Sequence, residues 1–246
     1  MRLIEEALAA GVPFRGTLVA PELERTTRGA ALVSELERHG VAIEAIATRT
    51  LAALADTETP QGIVAVIEPR RWSAADLALG AGSVALVIDG VQDPGNVGTL
   101  IRTAHALGAA GTVVLRGTAD PTSPKALRAA MGATFHHPVV ALDDAGFIAW
   151  ARRHDVTLWA GAADGVPLPR ALKGTPAQPS VTTGGGGAGP NGGAIAVIVG
   201  NEGAGIRPQF NAVAAQRVAI PLVPGAESLN VAVAAGILLY EVTRGR

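Results

Sequence analysis

The sequence predicts an α/β protein in which a small α/β unit precedes a larger parallel sheet covered by helices on both faces. Three observations predict it. Short uninterrupted apolar runs such as Val84-Ala-Leu-Val-Ile88 suit strands buried on both faces of a parallel sheet. Those runs alternate with helix-like segments, the pattern of βαβ units. Between the two regions, Glu68-Pro-Arg-Arg-Trp-Ser-Ala-Ala-Asp76 and the nearby Gly80 and Gly82 interrupt the apolar pattern as a linker does.

In chain order, a helix over 3–10 closes at Gly11, a strand covers 17–20, and a helix over 30–39 closes at Gly40. Strands over 41–46 and 62–67 complete a domain spanning 1–71, with a linker over 72–82. The second domain, 83–246, has strands over 84–88, 112–115, 156–160, 194–199 and 217–220. A long apolar helix runs from Val231 towards Thr243, and ligands of such a sheet belong at the carboxyl ends of its strands. The segment 175–193, containing Gly184-Gly-Gly-Gly187, reads as a flexible low-complexity loop. No Gly-Lys-Ser/Thr follows it, which argues against a phosphate-binding P-loop.

At 246 residues and 48% hydrophobic composition the chain can fill real cores. No stretch approaches the length of an uninterrupted membrane span, and Glu5 and Glu6 stand where a signal peptide would carry its apolar core. A cytoplasmic protein is expected. The absence of Cys removes disulfides, thiolate nucleophiles and Cys-ligated zinc. The five His residues, His136-His137 included, lack metal-ligand spacing, so no metal is expected. The net charge of −1 announces no global nucleic-acid field, yet residues 100–130 carry a net +3 from Arg102, Arg116, Lys125 and Arg128 against Asp120. Such a patch suits phosphate contacts, although solvated helix faces carry similar runs.

Three strand ends concentrate polar chemistry. After the strand at 84–88, Asp93-Pro-Gly-Asn96 is turn chemistry, with Asn96 placed as the N-cap of a helix that bears Arg102. The strand at 194–199 runs into Gly200-Asn-Glu-Gly-Ala-Gly205, and that at 217–220 into Pro221-Leu-Val-Pro-Gly-Ala-Glu-Ser-Leu-Asn230. Each segment read alone is a capped or Gly-rich turn; the recurrence of Asn beside a charged or hydroxyl group at all three points to one site.

Taken together, Asn96-x-Gly-x-x-x-Arg102-Thr-Ala, Val197-Ile-Val-Gly-Asn-Glu-Gly203 and Ile220-Pro-x-x-x-x-x-x-Ser228-Leu-Asn230-Val resemble, in order and context, the three signature motifs of TrmH-type RNA ribose 2′-O-methyltransferases of the SPOUT superfamily. The resemblance spans 84–246. Residues 1–71 are similar to the small ribosomal-protein-like RNA-binding domain of the ribosomal-RNA members, most clearly in Thr59-Pro-Gln-Gly-Ile-Val-Ala-Val66. The resemblance implies a C-terminal domain tied in a deep trefoil knot, S-adenosylmethionine bound in the knot, a homodimer, and ribosomal RNA as substrate in preference to transfer RNA. Members with the extra domain usually begin with a strand before the helix matching 3–10, which implies either further residues upstream or a small domain without one edge strand.

The resemblance also implies roles. Asn96, Arg102, Glu202, Ser228 and Asn230 match the catalytic set. Leu115, Gly117, Gly200, Asn201, Ile220, Leu222, Ser228 and Leu229 match the contacts to the methyl donor, and Arg102, Lys125 and Arg128 the contacts to RNA. Methyl transfer from a sulfonium releases a neutral group, so the demanding step is to align and deprotonate a poor hydroxyl nucleophile. An Arg stays protonated in proteins, so Arg102 is expected to orient and stabilise the ribose oxygen while a phosphate oxygen or water takes the proton. The plainer roles remain open: Ser228 and Asn230 as helix caps, Glu202 as a loop acid, Arg128 as a surface charge. Two other functions are weighed, an RNA-binding protein of this fold without activity and a dinucleotide-dependent enzyme. The second is disfavoured because no Gly-x-Gly-x-x-Gly follows the first strand of any βαβ unit.

Overall fold

The computed structural model describes residues 1–55, 57, 59–168 and 193–244, so most of the predicted Gly-rich loop at 175–193 lies outside the described residues. The chain forms two compact units, Met1–Arg71 and Trp72–Arg246.

The first unit runs α1 (Arg2–Ala9), β1 (Phe14–Val19), α2 (Pro21–Glu24), α3 (Thr27–Arg38), β2 (Ile43–Ala45), α4 (Thr48–Leu54) and β3 (Ile63–Ile67). Its three strands lie in the order β2-β1-β3, with β1 parallel to β2 and antiparallel to β3. Thr26 caps α3 by accepting a hydrogen bond from the Gly29 N–H. Leu32, Val33 and Leu36 recur at the helical period and bury against Val19, Leu23 and Ile63, with Ile4 and Leu8 of α1 packed alongside.

The second unit opens with residues that pack on its own core. A capping box between Ser73 and Asp76 holds a short 3-10 turn, Ala74–Asp76, and Leu77 beyond it is buried. There follow β4 (Val84–Asp89), α5 (Pro94–Ala106), β5 (Gly111–Val114), α6 (Pro124–Ala130), α7 (Ala133–His136), β6 (Val139–Ala141), α8 (Asp144–Arg153), β7 (Thr157–Pro167), β8 (Ile195–Gly200), α9 (Pro208–Val213), β9 (Gln216–Ala219) and α10 (Val231–Thr243). The six strands lie in the order β6-β5-β4-β8-β7-β9 and every pairing is parallel. The sequence predicts five of them. The sixth, β6, is three residues between a Pro and an acidic turn, too short for an apolar run to announce it.

Every residue of β4 is buried, as an apolar run at the middle of a doubly covered sheet requires. Strand alternation sends Val84, Leu86 and Ile88 to one face, against Leu100 and Ile101 of α5 and Leu238 and Leu239 of α10. Ala85 and Val87 go to the other, against Phe147 of α8 and Phe210 of α9. This sheet sets the site by register: Asp89 at the end of β4 lies opposite Gly200 at the end of β8, so the loops that follow both strands leave the sheet side by side.

Candidate active site

The loop after β4 turns into α5 at Asp93, whose carboxylate accepts a hydrogen bond from the Gly95 N–H, with Pro94 as the first helical residue. Pro94 fixes the start of the helix, because its ring presets φ and it lacks an N–H to satisfy. The expected N-cap role of Asn96 is therefore corrected: Asp93 is the cap, and Asn96 stands inside the first turn with its side chain released for other bonds. Its amide Nδ2 donates to Glu202 Oε1 at 2.7 Å, and its Oδ1 accepts from Asn230 Nδ2 at 3.1 Å. One hydrogen-bonded chain, Glu202–Asn96–Asn230, thus ties together the three segments singled out in the sequence. An acceptor-only carboxylate at one end fixes the orientation of both amides.

Asn230 has the second role as well. Its Oδ1 accepts from the Ala232 and Val233 N–H groups, making it the N-cap of α10, so cap and site contact coexist in one side chain. Asn201 is built in the same way. Its Nδ2 donates to the Gly90 carbonyl at 3.1 Å while its Oδ1 accepts from the Gly203 and Ala204 N–H groups, closing the turn that carries Glu202. Gly200 is required where it stands: a Cβ there would lie 2.3 Å from the Gly205 carbonyl carbon.

A cavity of about 220 Å³ opens beside this chain. Of the predicted donor contacts, Gly200, Asn201, Ile220, Leu222, Ser228 and Leu229 line it, and so does Glu202. Gly161, Ala162, Ala163, Val199, Gly205, Val218, Glu227, Val231, Ala234 and Leu238 complete the wall. Leu115 and Gly117 are not among the lining residues. Leu115 is a core side chain at 2% exposure, and Gly117 sits in a left-handed turn beside Gly90, where it adjoins the loop rather than the cavity. Among the described residues the wall is mostly apolar and built of small side chains, with two carboxylates and no Lys, Arg or His. That composition fits a ligand with a flat apolar part and positive charge, as S-adenosylmethionine has in its adenine and its sulfonium.

Arg102 lies six residues beyond Asn96 on α5, about 9 Å further along the helix axis. It is exposed and forms no hydrogen bond or ion pair among the described residues, which leaves all five guanidinium donors for a ligand. Lys125 is placed differently. Its Nζ pairs with Asp93 at 3.0 Å, bracing the start of α6 against the start of α5, and that ammonium together with the Gly95 N–H holds the Asp93 carboxyl below its ordinary range. Arg128 is exposed near the end of α6, a helix capped by Ser123. Among the described residues no group of three or more His, Asp or Glu is arranged to hold a metal ion.

Sequence reasoning missed an ionic cluster beneath the site. Asp89 is only 1% exposed, and its carboxylate accepts from the backbone N–H of Arg207 at 2.8 Å and from Nε at 2.6 Å. The other edge of the same guanidinium forms a fork with Asp144, both bonds at 2.9 Å, and its carbon stands 4.9 Å over the Phe210 ring. Burial alone would lower the Arg207 pKa, but Asp89 and Asp144 outweigh it and raise it. The signal available was an Asp ending a wholly apolar strand, since a buried carboxylate demands a partner.

The comparisons with known proteins agree with this geometry. Residues 83–240 match the family described as SpoU rRNA Methylase, and residues 1–73 the domain described as RNA 2′-O ribose methyltransferase substrate binding. The chain is 36% identical over 240 residues to the 23S rRNA (guanosine(2553)-2′-O)-methyltransferase RlmP of Bacillus subtilis, covering 98% of this chain and 85% of that protein. An AdoMet-bound rRNA methyltransferase from Sinorhizobium meliloti superimposes with a TM-score of 0.79 at 28% identity, over 100% of this chain and 85% of that one. The SpoU methyltransferase AviRb from Streptomyces viridochromogenes, in complex with AdoMet, does so at 0.79 and 26%, over 99% of this chain and 87% of that one. No described helix is long and apolar enough to cross a membrane.

Proposed function

Because the chain belongs to the SpoU rRNA Methylase family, we propose that it transfers the methyl group of S-adenosylmethionine to a ribose 2′-hydroxyl of ribosomal RNA, using the cavity beside Glu202 and Ser228 for the donor and Arg102 for the acceptor. The observation that carries this assignment is the Glu202–Asn96–Asn230 chain, which joins the donor-lining segments to the helix bearing Arg102. S-adenosylmethionine supplies an electrophilic methyl group on a sulfonium, and the protein supplies placement. Ile220, Leu222 and Leu229 offer apolar surface for the adenine, and the exposed backbone around Gly200 offers polar edges. Asn96 and Asn230, locked by their mutual bond, hold α5 against α10 so that Arg102 has a fixed origin. Its permanent charge stabilises the developing oxyanion and holds the ribose in line, while a phosphate oxygen or water receives the proton.

On this proposal, residues 1–71 bind the RNA substrate, 72–82 link, and 83–246 catalyse, with Lys125 and Arg128 as phosphate contacts. Lys125 must then exchange Asp93 for phosphate. The trefoil knot of the superfamily would be tied by the return of residues 220–243 to pack α10 across α5, β4 and β8. A homodimer in the cytoplasm completes the proposal; the exposed stripe Val233, Ile237 and Tyr240 on α10 supports it, since three large apolar groups on one helix face suit a second copy. The direct test is incubation of the purified protein with methyl-labelled S-adenosylmethionine and ribosomal or transfer RNA, followed by nucleoside analysis. Label on a ribose of ribosomal RNA, absent with Arg102→Ala, is expected. Label in transfer RNA alone would move the substrate, and RNA binding without label would favour the silent protein of the same fold.

A further inference from the structure

The loop that carries Glu202 is tied to β4 at both ends. At its start the Asn201 side chain donates to the Gly90 carbonyl; at its end Arg207 grips the buried Asp89 carboxylate through both backbone N–H and Nε. Asp89 and Gly90 are also the residues from which the chain departs for Asn96. The 2.7 Å bond from Asn96 to Glu202 therefore spans two loops whose common footing is the end of β4, and Arg207 closes that footing. Its remaining nitrogens are locked by Asp144 in the first turn of α8, with Gln209 on the same carboxylate at 3.1 Å. A guanidinium held at Nε by one carboxylate and forked at its two terminal nitrogens by another has one orientation, which a point-charged ammonium cannot reproduce.

We infer that Arg207 is a positioning residue of the methyl-transfer site: by locking Asp89 to Asp144 it fixes the register of the loop after β8 against β4, and through that loop it holds Glu202 where Asn96 can reach it. This rests on the site assignment above but makes a separate claim, that a residue outside the cavity acts through Glu202 rather than through general stability. Replacing Arg207 by Lys keeps the charge opposite Asp89 and gives up the fork. A displacement of the Glu202 loop on the order of 1 Å is enough to cost roughly tenfold to a hundredfold in turnover.

The test is a double-mutant cycle on the full chain with Arg207→Lys and Glu202→Gln, read by kcat and KM for RNA and, independently, by the Asn96 side-chain amide signal in nuclear magnetic resonance. Arg207→Lys is expected to lower kcat roughly tenfold or more with KM for RNA within about twofold, and to cost less than about threefold once Glu202 is already Gln, because coupled residues are not additive. It should also move the Asn96 amide signal in the direction that Glu202→Gln moves it. Costs that multiply independently, or a lowered melting temperature with kcat and the Asn96 signal unchanged, would overturn the inference. Should Arg207→Lys not fold, Asp144→Asn enters the same cycle, since it releases one fork and leaves Asp89 paired. A parent protein inactive on every RNA would remove the methyltransferase assignment, while the Asn96 signal would still decide for or against Arg207.

Discussion

Among single side chains, Arg102 combines an exposed position with a guanidinium unengaged among the described residues, on the helix that also bears Asn96. Its removal should therefore leave the donor cavity untouched. Arg102→Ala is expected to lower kcat by about a hundredfold or more, the loss seen when one preorganised charge-stabilising group is deleted, with the dissociation constant for S-adenosylhomocysteine in calorimetry unchanged. A weakened donor complex would instead make Arg102 part of the cavity wall. His137 is a different kind of side chain, 2% exposed and 2.9 Å from the Thr112 hydroxyl, where burial and then the nearby His105 push its pKa down to about 4. The unfolded chain protonates this group near 6.5 and the folded one only near 4, so its contribution is intact above 6.5 and is lost as pH falls between those values. The loss approaches about 3 kcal/mol by pH 4. Denaturant unfolding at pH 7.5 and 4.5 should show it, and His137→Gln, which keeps a partner for Thr112, should flatten the dependence. Side chains were also where the sequence was least legible. Asn96 reads as a cap because Asn favours caps, and only the structure shows Pro94 moving the helix start and freeing it. Asp89 at the end of an apolar strand signalled that a partner was needed, but nothing named Arg207, since its partners lie 118 and 63 positions away.

The helices and strands were far more legible, because their signals are local. The apolar runs of β4, β5 and β8 and the span of α10 follow from adjacent residues alone. What escaped were the short helices α2 and α4, the strand β6, short and flanked by turns, and the continuation of β7 to Pro167, where Gly161 and Val166 both pair with Val218 across an irregular register. How closely these elements fit is set by small residues. Gly98 of α5 faces α6 so tightly that an added Cβ would lie 2.2 Å from the Ala126 carbonyl oxygen and 2.9 Å from the Ala130 amide nitrogen. Both are backbone atoms that cannot swing aside. Gly98→Ala should therefore destabilise by about 1–3 kcal/mol despite the better helix propensity of Ala, measured as a lower midpoint in urea with an unchanged slope.

For the whole chain, the apolar stripe on α10 makes a quantitative claim about assembly. Ile237 stands between Val233 and Tyr240, so Ile237→Glu should convert a dimer into a monomer in light scattering while the sheet, measured by circular dichroism, is unaffected. A parent that is already monomeric would remove the dimer from the proposal. The order of the six strands could not be anticipated, because β8 enters between β4 and β7 by contacts that no local signal encodes. The chain Glu202–Asn96–Asn230 joins positions 106 and 134 residues apart, and its last member arrives only with the C-terminal helix. During synthesis from the N-terminus, the substrate-binding domain and most of the sheet therefore exist before any complete site does. On the proposed function, a nascent or prematurely ended chain would meet RNA without modifying it, so methylation would report that the protein making the mark was finished.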